Sequence, residues 1–145
     1  MDIIIRNVDV NTDIQGIREA HGSDDHWGSD QACFLSQKTR LENGFFIQVA
    51  VYNDRIVGHV EWVISDEPEY RFLYLGMLQI NSEYQKRGIG TKFLESGVAY
   101  AREHNCTFLR TMPDIETGSI EFYQKCGFKK AGDTQAMWIY QGNEH

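Results

Sequence analysis

The chain has 145 residues, 41% of them apolar and 24% charged, and a formal net charge of −7. That length fits one ordinary domain with its own core, and the composition is that of a globular protein rather than a disordered one. No apolar run approaches the roughly 20 residues a bilayer crossing needs, the acidic balance argues against a nucleic-acid partner, and Cys33, Cys106 and Cys126 form no CxxC pair that would indicate a zinc site or a disulfide framework.

A single domain over residues 1–145 is therefore expected, with reduced thiols and a cytoplasmic setting, since MDIIIRNVD lacks the basic start of an export signal. The acids are concentrated early: residues 1–70 hold 13 acids and 5 bases, residues 71–145 hold 8 and 9. The first half suits a cationic partner and the second tolerates an anionic one.

IIIRNV (3–8) reads as a short strand. Asn11 or Thr12 is expected to cap a helix through His21, with Ile14 and Ile17 facing inward. HGSDDHWGSD (21–30) is a polar loop, and a second helix follows over 30–43, ended by Gly44. FFIQVAVY (45–52), the turn Asn53-Asp54 and RIVGHVEWVIS (55–65) form a hairpin. FLYLGMLQI (72–80) has the apolar run of a central strand. Ile89, Phe93, Leu94, Val98 and Ala101 share one side of a helix over 88–104. TFLRTM (107–112) is a strand, ETGSIEFYQKC a short helix stopped by Gly127, and FKKAG with AMWIYQ a closing hairpin. The order is βααβββαβαββ, a mixed α/β (α+β) domain.

QKRGIG (85–90) lies between a strand and a helix. A helix leaves its first N–H groups without partners, and its dipole favours negative charge there. Arg87, Gly88, Ile89, Gly90 and Thr91 present such groups, and Lys86, Arg87 and Lys92 add positive charge. The segment is not a P-loop, because no GK[ST] follows, and Phe93 stands where a dinucleotide fingerprint has its third glycine.

LQINSEYQKRGIGTKFL resembles the acetyl-CoA-binding segment of the GCN5-related N-acetyltransferases, whose pattern is [RQ]-x-x-G-x-[GA]; Gln85, Gly88 and Gly90 match it. IEFYQKCGF (120–128) is similar to that family's C-terminal helix, usually fYekxGF, and the helix and strand between the two segments match the family's spacing. The resemblance implies a mostly antiparallel central sheet with splayed middle strands. It also implies acetyl-CoA as co-substrate, its pyrophosphate on the 85–91 turn and its pantetheine arm along Leu78, Gln79 and Ile80.

By the same resemblance Tyr123 is the general acid and contacts the cofactor, and a backbone N–H at Leu78 is the oxyanion donor. Family bases stand at the positions of Tyr74 and Thr111, neither of which is a strong base here, and Glu116 stands where a cofactor-contacting asparagine is common. Glu61 and His59 share one face of a hairpin strand and are the remaining candidate bases, Glu61 first; an ordinary exposed polar face is the alternative, and a water relay a third route. The acceptor site is expected at Asp25, His26, Trp27 and Tyr74, where carboxylates beside an aromatic suit a cationic amine. His21, His26, His59 and His104 show no metal-ligand spacing, so no metal is expected.

The expected activity is direct acetyl transfer from acetyl-CoA to a primary amine, either a small cationic molecule or a peptide. The alternative is a non-catalytic acyl-CoA-binding sensor or structural module. Neither nucleic acid nor membrane is an expected partner, and the chain is expected to act as a monomer or homodimer.

Overall fold

The opening helix starts one residue later than Asn11 and Thr12 suggest. Asp13 is the cap, and its carboxylate does other work: it receives both Arg6 Nη groups at 2.8 and 2.9 Å and the Asp9 N–H at 2.7 Å. That arrangement fixes strand β1 (Ile4–Asn7) against the start of α1 (Ile14–His21). The second helix, α2 (Asp30–Glu42), is capped as its sequence suggests, with Ser29 Oγ accepting the Ala32 N–H at 3.1 Å.

Strands β2 (Phe46–Tyr52) and β3 (Arg55–Asp66) meet at Asn53 and Asp54, both at positive φ, the backbone of a tight two-residue hairpin. Strand β4 (Arg71–Ile80) leads through a 3₁₀ turn, Ser82–Tyr84, to α3 (Ile89–Glu103). Then come β5 (Phe108–Thr111), α4 (Ser119–Lys125), β6 (Phe128–Lys130) and β7 (Met137–Gln141). The expected order is the observed one. The computed structural model describes residues 2–113, 119–130 and 137–141, so Glu116 and the turn of the closing hairpin lie outside the described residues.

The chain divides into two units, the first made of residues 1–61 and 77–93, the second of 62–76 and 94–145. In the first, β1, β2 and β3 are neighbours in that order, and β1 pairs antiparallel with β2, Ile4 opposite Val51. Its core is Ile14, Ile17, Ala20, Cys33, Val49 and Ile56. In the second, β4, β5, β7 and β6 are neighbours; β4 and β5 are parallel, with α3 as the crossover, and the last two pairs are antiparallel. The sheet is thus mixed and mostly antiparallel. Trp62, Leu73, Leu109 and Phe128 are buried in the second unit.

The parallel pairing runs from Phe72↔Phe108 to Leu75↔Thr111 and stops there, because β5 ends. Strand β4 continues to Ile80. Among the described residues no helix is long and apolar enough to cross a membrane, and no cluster of His, Cys, Asp and Glu could hold a metal ion.

Candidate functional site

The strand-to-helix turn of the first unit is exposed from Gln85 to Gly88. Lys86 and Gly88 both take positive φ, +62° and +86°. Glycine adopts that conformation at little cost, and a Cβ at Gly88 would meet nothing within 4 Å, so the face it presents is open. The Gly88 carbonyl accepts the Lys92 N–H at 3.1 Å, which makes Gly88 the cap of α3. The N–H groups of Ile89, Gly90 and Thr91 are therefore left without carbonyl partners in the helix.

Several contacts hold the turn in shape. Gln85 Nε2 reaches back to the Ile80 carbonyl at 3.3 Å, and Asn81 Oδ1 accepts the Glu83 N–H at 2.9 Å. The Arg87 guanidinium lies 5.2 Å from the centre of the Tyr84 ring. Lys86, Arg87 and Lys92 are exposed, as an anion site at a helix start requires. Leu78, Gln79 and Ile80 are half-buried on the last part of β4, beyond its pairing with β5.

Glu61 and His59 do share a face of β3, but that face is not exposed: their relative accessibilities are 1% and 0%. Helix α2 covers it and supplies the partners. Arg40 Nη1 donates to Glu61 Oε1, and Gln37 Nε2 donates to Oε2 at 2.9 Å. The other end of that amide, Oε1, lies 3.0 Å from His59 Nε2, so His59 donates there. His59 Nδ1 is then an acceptor, and His21 Nε2 donates to it at 3.2 Å. The result is a closed chain from Glu61 to His21 across three elements.

Both imidazoles are neutral in this chain. Burial is the main cause, pushing His21 down to about 4 and His59 to about 3. For His59 the nearby Arg40 guanidinium acts in the same direction. Glu61 Oε2 lies 3.3 Å from His59 Nε2, but its charge is already shared with Arg40, and His59 stays uncharged.

The acidic loop is also more occupied than its sequence suggests. Asp25 accepts Arg18 Nε at 2.9 Å and the Trp27 N–H at 3.2 Å, and Asp30 accepts Arg18 Nη1 at 2.7 Å. Trp27 is half-buried against the first unit's core, its ring 4.3 Å from that of the exposed His26 and 4.7 Å from that of His21.

In the second unit Tyr123 is 6% exposed, with its ring edge-on to Phe128 at 5.1 Å. Burial pushes its phenol up to about 12, against a hydrogen bond with the Thr111 side chain that acts the other way. Tyr74 lies opposite Arg110 in the β4–β5 register and lines an open groove with it. Three residues of this picture escaped the sequence reading. Gln37 and Arg40 have a signal in hindsight, polar residues at helical spacing on a face that also buries Cys33. Arg110, a cation on the same strand face as Phe108 and Met112, is the third.

The family model for the acetyltransferase (GNAT) family matches residues 14–128. The chain is 36% identical over 92 residues to the probable N-acetyltransferase san of Drosophila melanogaster, covering 61% of this chain and 50% of that protein. It is 33% identical over 95 residues to N-alpha-acetyltransferase 50 of Danio rerio, covering 63% of this chain and 56% of that one. The chain thus spans about half the length of the curated relatives it matches. Among solved structures, the PaiA N-acetyltransferase of Thermoplasma acidophilum, in complex with coenzyme A, superposes with a TM-score of 0.77 at 18% identity, covering 97% of this chain and 99% of that one. Glucosamine-6-phosphate N-acetyltransferase of Arabidopsis thaliana gives 0.78 at 17% identity, covering 91% and 95%. These two likenesses show the fold.

Proposed function

The chain belongs to the acetyltransferase (GNAT) family, and we propose that it is an acetyl-CoA-dependent N-acetyltransferase that acts on a primary amine by direct transfer. The observation that carries this reading is the turn at Gly88: positive φ, an open face, N–H groups without helical partners, and three exposed cations. These features fit a pyrophosphate.

Acetyl-CoA, when bound, supplies the acetyl group activated as a thioester. The residues divide the remaining work. Gly88, Ile89, Gly90 and Thr91 bind the pyrophosphate through the backbone, with Lys86, Arg87 and Lys92 adding charge and Gln85 bracing the turn. Leu78, Gln79 and Ile80 offer the part of β4 that runs past the β5 pairing to the pantetheine arm, and the Leu78 N–H stabilises the oxyanion. Tyr123 holds a proton at its hydroxyl for the departing sulfur. Its raised pKa keeps that proton in place across the physiological range. Tyr74, Asp25, His26 and Trp27 belong to the acceptor side in this reading.

We assign Glu61 to the buried network rather than to proton abstraction. Arg40 and Gln37 occupy its two oxygens, and the residue is buried. The amine then loses its proton to water. Freeing a lysine-like amine at pH 7 costs about 4.6 kcal/mol, an α-amine only about 1.4. A site without a strong base therefore favours an α-amine.

The test is CoA release from acetyl-CoA across polyamines, aminoglycosides, amino acids and N-terminal peptides, with a blank lacking amine. Release that depends on an amine is the expected result. Acetyl-CoA that binds while no amine raises release above the blank contradicts it.

A further inference from the structure

The second unit carries an open groove of about 310 Å³, at the lower end of the roughly 300–1,000 Å³ common for small-molecule sites. Its walls are Val63, Ile64 and Ser65 from β3, Phe72 and Tyr74 from β4, Arg110 from β5, and Met112 just beyond. Five of the seven are apolar or aromatic. The exceptions are the Ser65 hydroxyl and a cation, Arg110.

Arg110 is held in a specific way. Its guanidinium lies 5.8 Å from the centre of the Phe72 ring, and Phe72 is itself stacked on Phe108 at 5.1 Å with planes 10° apart. That contact supports one face of the guanidinium and leaves its N–H edge for a planar acceptor. Among the described residues Arg110 has no carboxylate within ion-pair distance. At the adjoining β3–β4 connection Asp66 pairs with Arg71 at 3.2 Å, and Glu67 accepts at 3.3 Å the hydroxyl of Ser65, itself on the groove wall. Met112 is 49% exposed, a large apolar side chain left at the groove's rim.

We propose that this groove is the acceptor subsite and that it selects an amine whose molecule carries a carboxylate beside an apolar or aromatic group. The proposal rests on the N-acetyltransferase reading for its name as an acceptor site. Its recognition chemistry stands on the groove alone: a guanidinium fork for a carboxylate, and Phe72, Ile64 and Met112 for an apolar body. The carboxylate has two sources, the α-carboxylate of a free amino acid or an acidic side chain next to a peptide's N-terminus.

The experiment compares matched acceptors. L-Phenylalanine is set against L-phenylalaninamide, and a peptide with Asp in second position against the same peptide with Asn. Wild-type protein is expected to favour the carboxylate member of one pair by about 10- to 100-fold in kcat/KM, as a charge-assisted bidentate contact implies. Which pair responds identifies the source. Arg110→Gln should lower kcat/KM for the carboxylate member far more than for the neutral member, erasing the preference, and Arg110→Lys should retain part of it. Equal loss on both members, or no preference in wild type, overturns the proposal.

Binding of N-acetyl-L-phenylalanine and its amide, followed by NMR, gives a readout independent of turnover. If no amine is acetylated, yet the carboxylate binds wild type and not Arg110→Gln, the enzymatic reading fails and the recognition chemistry stands. If both readouts ignore the carboxylate, the groove inference fails whatever the activity.

Discussion

His21 and His59 meet inside the first unit, Nε2 of one 3.2 Å from Nδ1 of the other, and each ring is at most 4% exposed. A helix and a strand are joined there by two imidazoles: His59, which accepts, has to be neutral, and burial keeps His21 neutral as well. Gln37, Glu61 and Arg40 complete the chain.

That chain makes stability depend on pH. Both histidines titrate in the folded state well below their ordinary 6.5, at about 4 and about 3. As pH falls through 6.5 the unfolded chain takes up protons that the folded chain refuses. Stability is therefore full above pH 7 and is lost as pH drops from about 6.5 toward 4. Asp13 and Asp25, held below 3.8, add their loss only at lower pH. Urea unfolding should show a decrease of about 2–4 kcal/mol between pH 7 and pH 5. A flat profile over that interval contradicts the neutral pair.

Glu61→Gln separates a structural carboxylate from a catalytic one. Losing the charge opposite Arg40 should cost roughly 1–3 kcal/mol of stability, moderated because the Arg40 side chain is 33% exposed and can regain water. Turnover per folded molecule should stay within about threefold, whereas loss of a general base costs about 10²-fold or more. Thermal unfolding and active-site-normalised kcat are the two measurements. A large kcat loss in a well-folded variant would restore Glu61 to the chemistry.

Gly97→Ala reverses the usual helix rule. Alanine in a helix interior ordinarily stabilises by roughly 0.5–1 kcal/mol over glycine. Here a Cβ would stand 2.3 Å from Cζ2 of Trp62, which is fully buried and cannot swing away. The expected change is a destabilisation of about 1–3 kcal/mol, read from denaturant midpoints.

Gly88→Ala tests the turn itself. The added methyl meets no protein atom, so the stability cost is limited to backbone strain of about 1–2 kcal/mol. If the pyrophosphate sits on this turn as proposed, acetyl-CoA affinity should fall by at least about 10-fold, through loss of the open face and the N–H contacts. Calorimetric titration gives the number; unchanged affinity removes the turn from the site.

The element order was readable because punctuation marks its breaks: Asn53 and Asp54 at the hairpin, Gly44 after α2 and Gly127 after α4, all at positive φ. The exposed strand-to-helix turn at 85–90 was readable for a similar reason, since its conformation is local. The fate of Glu61 was not. Alternation along β3 places His59 and Glu61 on one face, but both faces of the strand are covered, with Val57, His59, Val60, Glu61 and Trp62 all buried. Their partners, Gln37 and Arg40, stand 24 and 21 residues before Glu61, on a helix whose docking no local pattern announces. The partner of Asp25 was hidden in the same way: Arg18, seven residues earlier, donates to its carboxylate.

The most direct test of the whole account is the steady-state comparison of wild type with Tyr123→Phe on the best acceptor found. Removing one hydroxyl from a buried ring leaves the packing against Phe128 intact. The expected result is a kcat lower by about 10²- to 10⁴-fold with KM for acetyl-CoA within about threefold, the signature of a group that acts only as the bond breaks. Equal kcat in the two proteins would contradict Tyr123 as the acid. Binding of acetyl-CoA by wild type without turnover of any amine would leave an acyl-CoA sensor as the reading of this fold.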